Sequence, residues 1–187
     1  GNVYVAGAVS EENPPHHKDW YIKKYEPDGS EIVVGWNKRI DNEGFDDVAY
    51  DIAIDSQDNV YVAGSRTRID ENSNPETQAW IKKFAPNGTE KTSNWNKAIQ
   101  APGGYAVARG IEVNASDEVF VLMRGSQVYS NAVGGDFWTK KFTAKGVEQT
   151  KNWDVAAGSQ SKDHPFALAI DNNGDVYVGG SVGAPQY

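Results

Sequence analysis

Asp171, Asn173 and Asp175 stand at alternate positions of "DNNGD", the spacing with which a calcium loop begins. A complete loop of that kind continues to a glycine and a distal bidentate glutamate, whereas this one runs straight into "VYVGG". The counterparts "DSQDN" from Asp55 and "NASDE" from Asn114 lose the pattern. A hairpin turn is therefore the plainer reading; no cofactor is expected, and calcium is the only one the sequence raises. His16 and His17 are adjacent in a proline-rich stretch and His164 lies far along the chain. Adjacent histidines without further fixed ligands do not build a tetrahedral metal site. Glu112 interrupts an otherwise apolar run, with Arg109 and Arg124 nearby. A carboxylate among packed strands needs a partner, so Glu112 is expected to pair with one of these arginines; a ligand-binding cluster of the three is the sharper alternative. Asn87-Gly-Thr and Asn114-Ala-Ser match glycosylation acceptors, but both fall in expected turns. Cysteine is absent, which removes disulfides, thiolate nucleophiles and thiolate metal sites together. No nucleophile–base–acid set is apparent, and no glycine-rich phosphate loop opens a helix.

Whatever chemistry these residues do, strands must position them. Tyr4, Tyr61, Phe120 and Tyr177 open near-copies of one segment ("NVYVAG", "NVYVAG", "EVFVLM", "DVYVGG") at steps of 57, 59 and 57 residues. "YIKKYEPDG" from Tyr21 returns as "WIKKFAPNG" from Trp80 and "WTKKFTAKG" from Trp138, at steps of 59 and 58. Trp36, Trp95 and Trp153 keep the same steps, and "DIAID" from Asp51 returns as "GIEVN" from Gly110 and "ALAID" from Ala167. Four blocks sharing one period define a repeat of about 58 residues.

Each block has the β-branched and aromatic content of a strand, and Asx/Gly turns separate them. "NVYVAG" is apolar on both faces, as a strand covered on both sides should be. The unit reads as a four-stranded antiparallel meander, with strands A to D running outward. In the innermost strand Ile52 and Ile54 alternate with Ala53, and Leu168 and Ile170 with Ala169. Repeated units of this kind predict an all-β fold of the β-propeller type. The chain divides into a partial blade at 1–40, blades at 41–99 and 100–157, and a partial blade at 158–187. Propellers typically use four to eight blades, so the expectation is an arc of three to four consecutive blades from a larger ring. Its ends would be covered by further blades of the same polypeptide or by neighbouring copies. The start at Gly1, inside what reads as a strand, is expected to mean a fragment of a longer polypeptide.

With these residues laid out, "AYDIAIDSQDNVYVAGS…AWIKKFAPNGTE" closely resembles the bacterial beta-propeller repeat family (the SBBP repeat). The family's units carry an AIAVD-x-x-GNVYVTG core followed by a D-A-F-V-x-K-x-x-P-x-G strand. The resemblance spans almost the whole chain and departs at "GIEVNASDEVFVLMR". It implies a propeller from a large bacterial extracellular or cell-envelope protein, and it implies no catalytic residue.

The bulk properties bound the partners. A charge of −8 argues against nucleic acid, which needs a clustered basic surface. No apolar run approaches the roughly 20 residues that span a bilayer, so membrane insertion is not expected. With 39% hydrophobic and 24% charged residues, the chain can build a sizeable core. The antiparallel order sends the long B–C segments ("AVSEENPPHHKD", "SRTRIDENSNPETQ", "GSQVYSNAVGGD") and the D–A segments to one face. Scaffolds vary the loops that meet partners. The leading expectation is therefore a non-enzymatic interaction or architectural module whose protein or glycan partner meets that face. A carbohydrate-binding propeller is the alternative, with Phe45, Tyr105 and Tyr129 as stacking candidates. A six-bladed lactonase- or quinoprotein-like enzyme is third and would need carboxylates converging at the axis. The once-per-repeat tryptophans are expected to be packing residues inside strands. The doubled lysines (Lys23 and Lys24, Lys82 and Lys83, Lys140 and Lys141) are expected to pack their stems and send their ammonium groups to solvent.

Overall fold

The structure, a computed structural model, describes residues 1–10, 16–125, 135–159 and 162–183. The protein is all-β, with thirteen strands in four open antiparallel sheets and no helix among the described residues. The first sheet is β1 (Val3–Ser10), β2 (Lys18–Tyr25) and β3 (Lys38–Ile40). The second runs β4 (Val48–Ile54), β5 (Val60–Ile69), β6 (Pro75–Phe84), β7 (Lys97–Ile99), each beside the next. The third repeats that order with β8 (Ala106–Val113), β9 (Val119–Gly125), β10 (Asp136–Phe142) and β11 (Val155–Ala157). The fourth pairs β12 (His164–Ile170) with β13 (Val176–Ser181). β1 and β13 do not pair with each other.

The sheets stack in chain order. β4 touches both β1 and β8, and β8 touches β12. Strand β5 explains the stacking, because its alternating side chains feed two cores. Val60 and Val62 pack with Trp20, Ile22 and Trp36 of the first sheet. Tyr61 and Ala63 pack with Ile111, Val119, Val121 and Phe142 of the third. All four of these β5 side chains are fully buried, and each buried valine contributes about 1.5–3 kcal/mol over an exposed one. Adding one residue to β5 would exchange its two faces and unmake both cores.

The first strand of every sheet after the first carries a bulge at the same place, at Tyr50, Arg109 and Phe166. Ladder pairing skips each of these residues, so its side chain leaves the regular alternation. Two expectations about strands need correction. The outermost strands are three residues long, and Trp36 and Trp95 sit in the turns before them rather than inside a strand. They are nonetheless buried, because each indole crosses to the next sheet. Trp36 Nε1 donates to the Pro86 carbonyl at 2.9 Å and Trp95 Nε1 to the Ala144 carbonyl at 3.1 Å.

The second correction concerns the B–C segment of the second sheet, which is a hairpin and not a loop. β5 and β6 stay paired to Ile69 and Pro75, with Thr67 opposite Thr77 and Arg68 opposite Glu76. β-branched and opposite-charge pairs across the ladder hold it, and Asp70 caps the turn by accepting the Asn72 and Asn74 N–H groups.

Candidate functional site

Asp171 heads the acidic triplet, and the structure uses it as a turn acceptor. Its Oδ1 accepts the backbone N–H of Asn173 and of Asp175, both at 2.9 Å, and its Oδ2 accepts the Tyr177 hydroxyl at 3.2 Å. Asp55 holds Gln57, Asn59 and Tyr61 in the same way, and Asn114 holds Ser116 and Glu118. The alternation of acidic and amide residues is thus the signature of the A–B hairpin. Among the described residues no group of three or more His, Cys, Asp or Glu is disposed to hold a metal ion.

Among the described residues no ion pair joins Glu112 to Arg109 or Arg124, which lie at separate places on the third sheet. The bulge turns Arg109 onto the preceding sheet, where its guanidinium lies 4.1 Å from the Tyr50 ring centre. Arg124 sits opposite Val107 with its guanidinium over Tyr105. Glu112 keeps its ladder place opposite Phe120 and borders a groove of ≈ 410 Å³ with Asn114, Asp171 and Gly174. Burial, and after it the charge of Asp51, raises its carboxyl above the ordinary value.

The ammonium groups of the lysine pairs are engaged by the protein, that of Lys23 at the exposed surface, so their stems are only half of the account. The first of each pair bridges to a glutamate eight residues on. Lys23 meets Glu31 at 2.7 Å, Lys82 meets Glu90 at 2.5 Å, and Lys140 meets Glu148. The second lies over an aromatic ring of the neighbouring strand and over the turn tryptophan: Lys24 over Tyr4 and Trp36, Lys83 over Tyr61 and Trp95, Lys141 over Phe120 and Trp153. In the second sheet Lys83 also bonds Asp55 at 2.9 Å and donates to the Tyr61 hydroxyl. Burial pushes the Asp55 carboxyl up, but bonds from Lys83 and Asn59 and the Lys83 charge outweigh it and leave it below the ordinary value. Burial, then the Asp55 charge, raises Tyr61 and keeps it a neutral phenol.

Sequence reasoning passed over a set of buried carboxylates. Asp47 and Asp163 stand two repeat periods apart, just before β4 and at the threshold of β12, and both are fully buried. Asp47 Oδ1 accepts the Thr67 N–H at 3.0 Å; Asp163 accepts the N–H groups of Ser159 and Gly183. Each ties the segment entering a sheet to the end of its second strand. Asp19 is also buried and is paired with Arg39. Asp19 Oδ1 and Asp47 Oδ2 have no hydrogen-bond partner. Burial first, opposed by the bonds from Thr67 and Asn42 and aided by the charges of Asp41 and Asp19, pushes Asp47 up to about 7. The signal available was the recurrence of aspartate at 47 and 163.

The long-loop face is joined across sheets, since the Thr77 N–H donates to the Gly104 carbonyl at 3.2 Å. Of the stacking candidates, Phe45 is half-buried against His17, Tyr105 lies beside Arg124, and Tyr129 falls outside the described residues. Trp20, Trp36, Trp80, Trp95 and Trp138 are buried, and Trp153 is half-buried. His164 lies beside Phe166. Asn87 and Asn114 spend their side-chain oxygens on turns. No family model and no curated protein matches the chain.

Proposed function

We propose that the chain is a run of consecutive β-propeller blades of the bacterial SBBP type, serving as a non-enzymatic interaction or architectural module of an extracellular or envelope protein. One observation carries the reading: the first two sheet junctions are built alike, by a turn tryptophan bonded to the next sheet's C–D turn. Sheets joined by one repeated contact turn by a similar step each time, which is how blades come to surround an axis. Partner contact falls to the face of the β5–β6 hairpin and the 100–105 connection. These lie on one end of the stack, bridge neighbouring sheets, and carry the segments that vary most between units.

The charged groups support structure over catalysis. Lys83, Asp55 and the Tyr61 hydroxyl are spent on one another, as are Lys141 and Glu118, and Glu112 stands apart from both arginines. The purified chain is expected to show no turnover across a panel of hydrolase and oxidoreductase substrates, with or without divalent cations. A turnover that Glu112→Ala abolishes would overturn the proposal.

A further inference from the structure

The segment entering the second sheet is clasped to the first. The Asp47 N–H donates to the Lys18 carbonyl at 2.6 Å, and Asp46 Oδ1 accepts the Lys18 N–H at 3.0 Å. Asp47 therefore docks beside Asp19, the next residue of β2. Both carboxylates are buried, and each keeps one oxygen, Asp19 Oδ1 and Asp47 Oδ2, that no donor reaches. Two buried acceptors side by side are costly twice over, because each lacks a hydrogen bond and their charges repel. The cations around them are engaged elsewhere: Arg39 on Asp19 Oδ2, and Arg66 of β5 on Asn42 and Gln78. Asp41, on the same connection as Asp47, adds further negative charge.

The other junctions show what is particular to this one. Ladders and bulges align Asp19 and Asp47 with Gln78 and Ala106 between the second and third sheets, where neither residue ionises. Between the third and fourth sheets they align with Asp136 and Asp163. A Cβ on Gly158 would lie 2.4 Å from Asp136 Oδ1 and 2.7 Å from Asp163 Oδ2, so these two positions bring carboxylates into one small space. There Asp163 takes the Ser159 N–H and hydroxyl and the Gly183 N–H. Burial pushes its carboxyl up, but those bonds and the His164 charge outweigh it and leave it below the ordinary value. Asp47 Oδ2 has no such donors.

We propose that Asp19 and Asp47 share one proton, with Asp47 Oδ2–H donating to Asp19 Oδ1, and that this bond is a pH-released latch between the first sheet and the segment entering the second. A protonated carboxyl is a donor, so a single hydrogen satisfies both bare oxygens and removes the repulsion. The raised Asp47 carboxyl, at about 7, agrees with it. Raising the pH passes the proton to solvent and leaves two like charges face to face. The latch then frees the 41–47 connection and the end of β5, which Asp47 holds through the Thr67 N–H and Asn42 through the Thr67 carbonyl. Both lie on the long-loop face, but the latch needs no partner to work.

Carbon-13 NMR of the side-chain carboxyls in the whole chain tests it, together with amide exchange corrected for its intrinsic pH dependence. The Asp47 carbon should titrate at about 7, and the Asp19 carbon should shift in the same step. Protection of the Asp47 and Thr67 amides should fall about tenfold per pH unit from about pH 5 to about pH 7 and then level off. Asp47→Asn, whose amide can donate to Asp19 at every pH, should hold that protection flat. Asp19→Asn, whose amide can donate to an ionised Asp47, should lower the Asp47 midpoint by about one pH unit or more. Four results would each overturn the proposal: an Asp47 carbon titrating at the ordinary carboxyl value, an Asp19 carbon unmoved in the Asp47 step, the wild-type slope surviving in Asp47→Asn, or an Asp47 midpoint unchanged in Asp19→Asn. The wild-type titration decides the matter even where a variant fails to fold.

Discussion

The two four-stranded sheets solve one problem in different ways. Each must place a lysine beside an aromatic ring and a turn tryptophan in a mostly apolar setting, and each must supply a carboxylate. The second sheet takes it from the first residue of the A–B turn, Asp55, and adds the Tyr61 hydroxyl, leaving both charges almost fully buried. The third has Asn114 at that position and takes the carboxylate from Glu118 at the end of the turn; Phe120 contributes no hydroxyl, and the pair is more exposed. Charge balance is thus kept while the donor residue moves four places along the chain. The repeat preserves the ion pair as an arrangement, and no single residue of it is fixed. A sequence comparison by position alone would miss the equivalence.

Substitutions at paired positions sharpen this contrast. The largest expected effect is at the turn tryptophans. Trp95, buried between Tyr61 and Phe142, should cost about 3–5 kcal/mol on truncation to alanine. Trp153, half-buried against Phe120, should cost less than about 2 kcal/mol. Chemical denaturation of the two variants decides it, and equal losses would erase the distinction between a fully buried indole and a half-buried one. Lys83→Met strands Asp55 in a buried place and should cost about 3 kcal/mol. Lys141→Met leaves Glu118 partly solvated and should cost about 1 kcal/mol. A reversed order would mean that burial is not what separates the two ion pairs.

A pH dependence is also expected from Asp47, whose place just before β4 is taken in the third sheet by the uncharged Ala106. The Asp47 carboxyl lies at about 7 in the folded chain, against an ordinary value of about 3.9 when unfolded. Because the folded pKa is raised, its stabilising contribution is full below the unfolded value and is lost as pH rises through the folded one. Over that window the wild type should lose stability with rising pH relative to Asp47→Asn. Parallel thermal midpoints for the two proteins across it would refute the assignment.

The strands of the repeat were legible in the sequence because β-branched and aromatic runs alternate with Asx/Gly turns at one period. What the tryptophans, lysines and Glu112 do was less legible, for a common reason. Each of their partners comes from another strand or another sheet. Trp95 is defined by a carbonyl 49 residues away, and Lys83 by a carboxylate 28 residues back. Lysine also counts as a polar residue in a strand pattern, which hides that its charge is neutralised inside the sheet. The 65–78 segment read as a loop through its polarity, yet cross-strand pairs made it a hairpin. Glu112 was given the arginines as partners from proximity in sequence, and a one-residue bulge turned Arg109 away.

The close approach of turns at the junctions has a consequence for how such a molecule grows. Gly88 has φ +84° and its Cα faces the Gly35 carbonyl so closely that a Cβ would lie 2.0 Å from that oxygen; Gly146 meets Asn94 in the same way at 2.5 Å. At Gly29, the matching position of the first sheet, nothing lies within 4 Å. Neighbouring units therefore meet main chain to main chain at these glycines, beside the tryptophan that bonds the same turn. Such a joint works like a standard thread. A unit can be duplicated, deleted or exchanged, and its loops can drift, while the step from one sheet to the next keeps its gauge.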